Sequence, residues 1–310
     1  MAYRLIRGEG VPAGVRRIAR EQLQAAVAHL RSRTGSRDEQ IHEARKCMKR
    51  LRALARLVRT GLGNEAYRRE NACFRGVAAQ LSAIRDAAAL VETFDALTAG
   101  LGKRQPPGSF AAVRSRLVEG RQLAHRSGGV TPLAVDTAVE ALEEADGRAS
   151  EWPLRDGWNG LEAGLRRIYA QGCAEFGEAL RLPTDEALHE WRKRVKYLWY
   201  HQQILRSIWP EQMATAIAQA DALGEMLGDD HDLSVLSATL GELLPGTENP
   251  GILAELDRAV AERRQCLQTG SMRLARRIYA EKPGAFCRRL RSYWQAWEQE
   301  GSNLESASAA

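Results

Sequence analysis

Ile41-His42-Glu43-Ala44-Arg45-Lys46-Cys47-Met48-Lys49-Arg50-Leu51 recurs as Leu188-His189-Glu190-Trp191-Arg192-Lys193-Arg194-Val195-Lys196-Tyr197-Leu198, with His, Glu, Arg, Lys, Lys and Leu held in register. An apolar core demands only size and hydrophobicity, so a repeated order of charged residues requires another reason. At about 100° per residue, Arg45, Lys49, Arg52 and Arg56 fall in one sector beside His42, with Lys46 on its other flank. Ala44, Met48, Leu51, Ala55 and Val58 take the opposite side. The pattern predicts an amphipathic helix with one face in the core and the other uniformly cationic. The second copy places His189, Arg192, Lys193, Lys196 and Tyr200 on one side and Trp191, Val195, Leu198 and Leu205 on the other.

No acidic residue occurs from Ala44 to Asn64, or between Glu190 and Glu211. Like charges one turn apart cost a few tenths of a kcal/mol per pair, a cost that a bound anion relieves. A single basic run reads most simply as a solvated helix face. Two in the same register point to a partner that is long, repetitive and negative.

The duplication extends beyond these segments. Gly14-Val15-Arg16-Arg17-Ile18 matches Gly164-Leu165-Arg166-Arg167-Ile168, and Leu81 to Leu90 with Arg85-Asp86 matches Leu227 to Leu236 with His231-Asp232. The matches keep their order and their offsets drift only across loops, the mark of an internal repeat. Helices are expected over 12–34, 38–60, 64–101 with an interruption near Arg85-Asp86, 107–126 and 131–146. The second half is expected to repeat this over 158–181, 185–207, 211–243 and 248–269, ending with 271–282 and 283–299. The expected architecture is all-α: two helical bundles, residues 1–148 and 149–300, related by pseudo-two-fold symmetry about a basic central groove or pore. Residues 301–310 read as a disordered tail.

Composition agrees with helix. Of 310 residues 44% are hydrophobic and only 6% aromatic, and a net charge of +6 favours acidic partners without selecting one. The five cysteines are scattered with no C-x-x-C pair, which indicates neither a disulfide framework nor a structural zinc site. No signal-like or membrane-spanning apolar run appears, so a cytoplasmic protein is expected.

His42 and His189 open their cationic faces at equivalent positions, where an imidazole can bond a phosphate oxygen. Asp86, Asp232 and His231, from the other repeated motif, are candidates for supporting roles, because a carboxylate facing a polyanion would repel it. Arg17 and Arg167, with Arg16 and Arg166, and Arg288, Arg289 and Arg291 near the end could extend the cationic track or be scattered surface charge.

These residues resemble the CHAD family, the conserved-histidine α-helical domains. The resemblance rests on His42-Glu43-x-Arg45-Lys46-x-x-Lys49, His189-Glu190-x-Arg192-Lys193-x-x-Lys196, Leu227-Gly228-Asp229-Asp230-His231-Asp232-Leu233 and Tyr279-x-x-Lys282-Pro283-x-x-Phe286, and covers essentially the whole chain. It implies two helical bundles around a basic cleft that binds inorganic polyphosphate, association with polyphosphate granules, and here the stand-alone form. In the second copy Arg50 and Arg52 become Tyr197 and Trp199, a less cationic stripe.

Two other functions remain open from sequence. A cationic groove also attracts nucleic acid, with Trp191, Trp199 and Trp209 as candidates to stack bases, although Trp191 lies on the apolar face. His231-Asp232 resembles the metal-binding dipeptide of helical phosphohydrolases, but Arg85 holds the equivalent place, and arginine does not ligate metals. His-Glu-x-x-Lys is not the zinc-protease His-Glu-x-x-His, and no P-loop or Gly-x-Ser-x-Gly turn is present. The expectation is a binding protein with no metal, cofactor or catalytic residue.

Overall fold

The computed structural model describes residues 3–81, 83–101, 109–127, 131–243 and 250–308. Among them are twelve α-helices and no strand: α1 (Val11–Arg31), α2 (Arg37–Leu57), α3 (Arg59–Leu62), α4 (Asn64–Gln80), α5 (Ala83–Leu101), α6 (Ala111–Ser127), α7 (Pro132–Ser150), α8 (Glu162–Arg181), α9 (Asp185–Ile204), α10 (Pro210–Leu243), α11 (Pro250–Ile278) and α12 (Pro283–Ser308). The fold is all-α. No helix among the described residues is long and apolar enough to cross a membrane.

The two motif helices begin alike. Ser36 accepts a hydrogen bond from Glu39 N and Thr184 accepts one from Ala187 N, each capping orphan amides of the first turn. Asp38 and Glu39 in α2, and Asp185 and Glu186 in α9, complement the positive end of the helix dipole. The local signals that start these helices thus lie just ahead of the cationic stretch.

Helix α1 packs against α2 and α7, α2 also against α4, and α5 against α6; α8 packs against α9 and α12, α9 against α10, and α10 against α11. The two sets meet in several places: α2 crosses α9, α2 and α3 lie against α8, and α5 lies on α10. There Val91, Phe94, Val113 and Leu117 bury themselves against Leu236, Leu240 and Leu256.

The largest apolar core runs without interruption from α1 and α2 through α8 and α9 to α12, joining Val15, Leu51 and Leu54 to Leu165, Leu198 and Trp294. The stretch read as a boundary between halves belongs to it, since Trp152 and Trp158 are buried. Burying such large side chains contributes roughly 1.5–3 kcal/mol each. Gly164 explains how tightly α8 approaches the end of α2: a Cβ there would lie 1.9 Å from Leu57 O, so only glycine fits.

Tyr279 and Phe286 in the last quoted motif are structural. Phe286 stacks on Tyr169 at 4.0 Å, and the Tyr169 hydroxyl lies within hydrogen-bond distance of Ile278 O and Glu281 O, fixing the turn into α12.

Three helix boundaries differ from expectation. The interruption after α4 falls at Leu81, four residues before Arg85. Helix α11 runs unbroken through Gly270, where the missing side chain makes room for Met226 Sδ and Ser271 is buried, so packing uses the glycine that sequence reads as punctuation. Helix α12 continues to Ser308, through most of the stretch for which a disordered tail was expected.

Candidate anion-binding site

In α2, Ala44, Met48, Leu51, Ala55 and Val58 are buried, and His42, Arg45, Lys46, Arg52 and Arg56 are half-buried with Lys49 exposed. The stripe borders α4. Arg45 Nη1 donates to Leu81 O at 3.1 Å, a carbonyl at the end of α4. Arg52 Nε and Arg56 Nη1 share Asn71 Oδ1 at 3.3 and 2.7 Å. The Arg56 guanidinium also lies over the rings of Tyr197 at 4.3 Å and Tyr67 at 5.8 Å. Arg52 and Arg56 are therefore held by a neutral amide and aromatic faces, and among the described residues neither forms an ion pair. Burial pulls Arg56 below its ordinary pKa, and repulsion from Arg52 and Arg194 acts the same way, although a guanidinium stays charged.

In α9, Trp191, Val195, Leu198 and Leu205 are buried as expected. The cations face α10. Lys196 Nζ sits 2.6 Å from Glu225, 3.4 Å from Asp221 and 4.8 Å from the Trp199 ring centroid. Gly224 and Gly228 make this possible, because a Cβ at Gly224 would meet Lys196 at 3.0 Å and one at Gly228 would meet Arg192 at 2.9 Å. These glycines, one turn apart, form a smooth lane on α10. The Gly in Leu227-Gly228-Asp229 was the sequence signal for it.

The acid-free stretches are not free of acidic partners. Lys46 pairs with Glu43 at 2.9 Å, Lys193 with Glu190 at 2.5 Å, and Arg194 with Glu190 and Glu175 at 3.6 and 3.7 Å. These glutamates lie upstream of the stretches or on α8. Arg192 forms no ion pair among the described residues.

His189 meets His231, ring centroids 4.6 Å apart. Both imidazoles are held below their ordinary pKa, chiefly by burial, then for His189 by His231, Lys193 and Arg192, and for His231 by Arg192. His189 Nδ1 is shielded from solvent without a hydrogen-bond partner among the described residues. No group of three metal-ligating side chains occurs among those residues.

Several sequence assignments change. Tyr200 is not on the stripe: Tyr3 packs edge-on against it at 5.9 Å, and burial pushes its hydroxyl up to about 12. The helical angle alone cannot register that the chain's first residues cover this turn. The carboxylate beside the histidines with a bonded supporting role is Asp230 rather than Asp232. Asp230 is 2% exposed and bound by Arg264 at 3.1 Å and Gln268 at 2.9 Å, while Asp232 is half-buried and its field raises the His231 pKa. The Asp86 side chain lies outside the described residues. Arg17 is clamped by Glu9 at 2.6 Å and Glu21 at 3.0 Å, so its charge is already compensated. Arg16 donates to Trp152 O, and Arg289 is taken by Glu281. Arg167 is half-buried without an ion pair among the described residues, and Arg166, Arg288 and Arg291 are exposed.

The two motif helices touch through their C-terminal halves. His201 Nε2 is 2.9 Å from Ala53 O, and Arg56 reaches Tyr197. The chain that carries these two motif helices matches the CHAD domain family model over residues 17–241, well over half of its length. The chain belongs to the CHAD domain family. The crystal structure of the CHAD domain from the plant Ricinus communis is similar at a TM-score of 0.54 and 17% identity, covering 87% of this chain and 90% of that one. At that identity the likeness establishes the fold. No curated protein matches the chain.

Proposed function

We propose that this CHAD protein binds inorganic polyphosphate without catalysis, in a groove between the cationic stripes of α2 and α9. The observation that carries the reading is the α2–α9 crossing. There Arg56 lies against Tyr197 within the field of Arg52 and Arg194. The α5–α10 contact joins the same two sets of helices a second time. On this reading His42, Arg45 and Lys49 face His189, Arg192 and Lys196 across one opening. The repeated order of helix pairings supports a duplicated ancestor and pseudo-two-fold symmetry.

The chemistry suits polyphosphate. Its chain offers about one negative charge per phosphate and neither base nor sugar, so recognition rests on charge density. Arginine forks and lysine point charges supply that, and opposed cationic walls focus positive potential. Lys46, Lys193 and Lys196 exchange half-buried or exposed carboxylates at the surface, worth little in water, for phosphate oxygens. Nucleic acid fits less well, because Trp191 is buried and Trp199 is covered by Lys196, which leaves neither as a stacking platform. Residence in the cytoplasm, at polyphosphate granules, belongs to the same proposal.

The test is a polyphosphate titration at two salt concentrations. Arg45→Ala with Lys49→Ala is expected to weaken binding by roughly tenfold or more and to lower the salt slope by about two, one per lost cation. Unchanged affinity in the folded double variant removes the site. Displacement by single-stranded DNA at equal charge concentration favours the nucleic-acid reading, and phosphate release with divalent metals, lost in His231→Ala, would establish an enzyme.

A further inference from the structure

A second concavity has no part in that groove. It is a cavity of about 710 Å³ at the C-terminal end of α9, the end opposite His189. Arg4 and Arg7 from the segment before α1 and Arg206 just past α9 line it, with Ile217 and Ala218 of α10 and Trp297 of α12. No aspartate or glutamate is among its lining residues. Arg4 and Arg206 are exposed and form no ion pair among the described residues. Arg7 lies 5.7 Å over the Trp297 ring and 2.8 Å from Glu300, an exposed pair that water already weakens.

The walls are fixed in advance of any ligand. Leu5 is buried and its amide donates to Ile204 O at 2.9 Å, while the Tyr3 hydroxyl donates to Arg50 O at 2.9 Å. The N-terminal segment is thereby stapled across the end of α9, holding Arg4 and Arg7 in place. A preformed cavity of this size lies within the range of small-molecule sites, roughly 300–1,000 Å³. Its lining divides into arginines on one part and alkyl and indole surface on another.

We propose that this cavity binds a small organic anion with a carboxylate or phosphate head and an apolar body. The head is taken by Arg4, Arg206 and Arg7, the last exchanging Glu300 for the ligand. The body lies along Ile217, Ala218 and Trp297. A purely inorganic polyanion is the wrong occupant, since its charges would lose water against apolar walls that return no hydrogen bonds.

The probe is 8-anilinonaphthalene-1-sulfonate, which joins an anionic head to apolar rings, titrated into the full chain by fluorescence with dodecanoate and tripolyphosphate as competitors. Dodecanoate is expected to displace it and tripolyphosphate at equal charge is not. Arg4→Gln with Arg206→Gln is expected to weaken the probe by roughly tenfold or more, the scale of a lost charge-assisted hydrogen bond. Ala218→Trp, at an exposed helix position, is expected to abolish binding by filling the cavity, with melting curves confirming that both variants fold. Probe affinity unchanged in both, or equal displacement by tripolyphosphate, overturns the proposal. Polyphosphate titration of the same variants reads the α2–α9 groove separately, so either proposal can fail alone.

Discussion

His201 is fully buried at the α2–α9 crossing, with Nε2 against Ala53 O, so it folds as a neutral ring that donates from Nε2. Burial pushes its pKa down to about 4, whereas an unfolded histidine titrates near 6.5. The native state therefore binds fewer protons, and the stability this ring contributes is complete above about 6.5 and drains away as pH falls toward about 4. At about 1.4 kcal/mol per pH unit the loss approaches about 3 kcal/mol. Urea midpoints measured across that window should fall in the native protein and fall less in His201→Gln; parallel curves would refute the assignment. The cationic stripe is legible in the sequence but this histidine is not, because its role depends on a carbonyl 148 positions away. The surroundings of Tyr200 and Arg17 are hidden from sequence for the same reason. Tyr3 covers one and Glu9 neutralises the other, and both come from an N-terminal segment without helical period.

Between elements, two buried carboxylates act as rivets. Glu70 of α4 is fully buried and accepts from Arg148 of α7 at 2.9 and 3.1 Å, and Asp230 of α10 is bound by Arg264 of α11. Removing one partner of a buried pair strands the other charge, which costs about 3–5 kcal/mol; half-exposed Arg69, 3.1 Å from Glu70, offsets part of it. Arg148→Ala is accordingly expected to lower unfolding stability by about 2–3 kcal/mol in urea titrations, and a loss below about 0.5 kcal/mol would show that Arg69 suffices. Helix identity and order were legible because apolar periodicity and Ser/Thr caps are local. Partnerships between helices were not: nothing local in Asp229-Asp230-His231-Asp232 says which carboxylate turns inward. The aromatic replacements in the second motif gained meaning only in three dimensions, where Tyr197 receives Arg56 and Trp199 receives Lys196.

For the molecule as a whole, the His189–His231 pair ties the proposed binding to acidity. Both rings are held below their ordinary pKa by burial and by neighbouring cations, so near neutral pH they are uncharged. A phosphate chain beside them favours the protonated rings, so its binding takes up protons and affinity should rise as pH falls from neutrality through the acid range. Polyphosphate titrations at constant ionic strength would show this, and a flat profile would place the chain away from the histidines. The α2–α9 crossing sets a further condition. His42 lies 11 positions from Ala53 and His189 lies 12 from His201, so each helix is a lever about 16–18 Å long. A tilt of about 5° at this fulcrum swings a histidine by about 1.4 Å, enough to take a hydrogen bond out of reach. If polyphosphate binds as proposed, Ala53 and His201 sit at the fulcrum rather than among the contacts, so substitutions there would retune grip without altering a single contacting group.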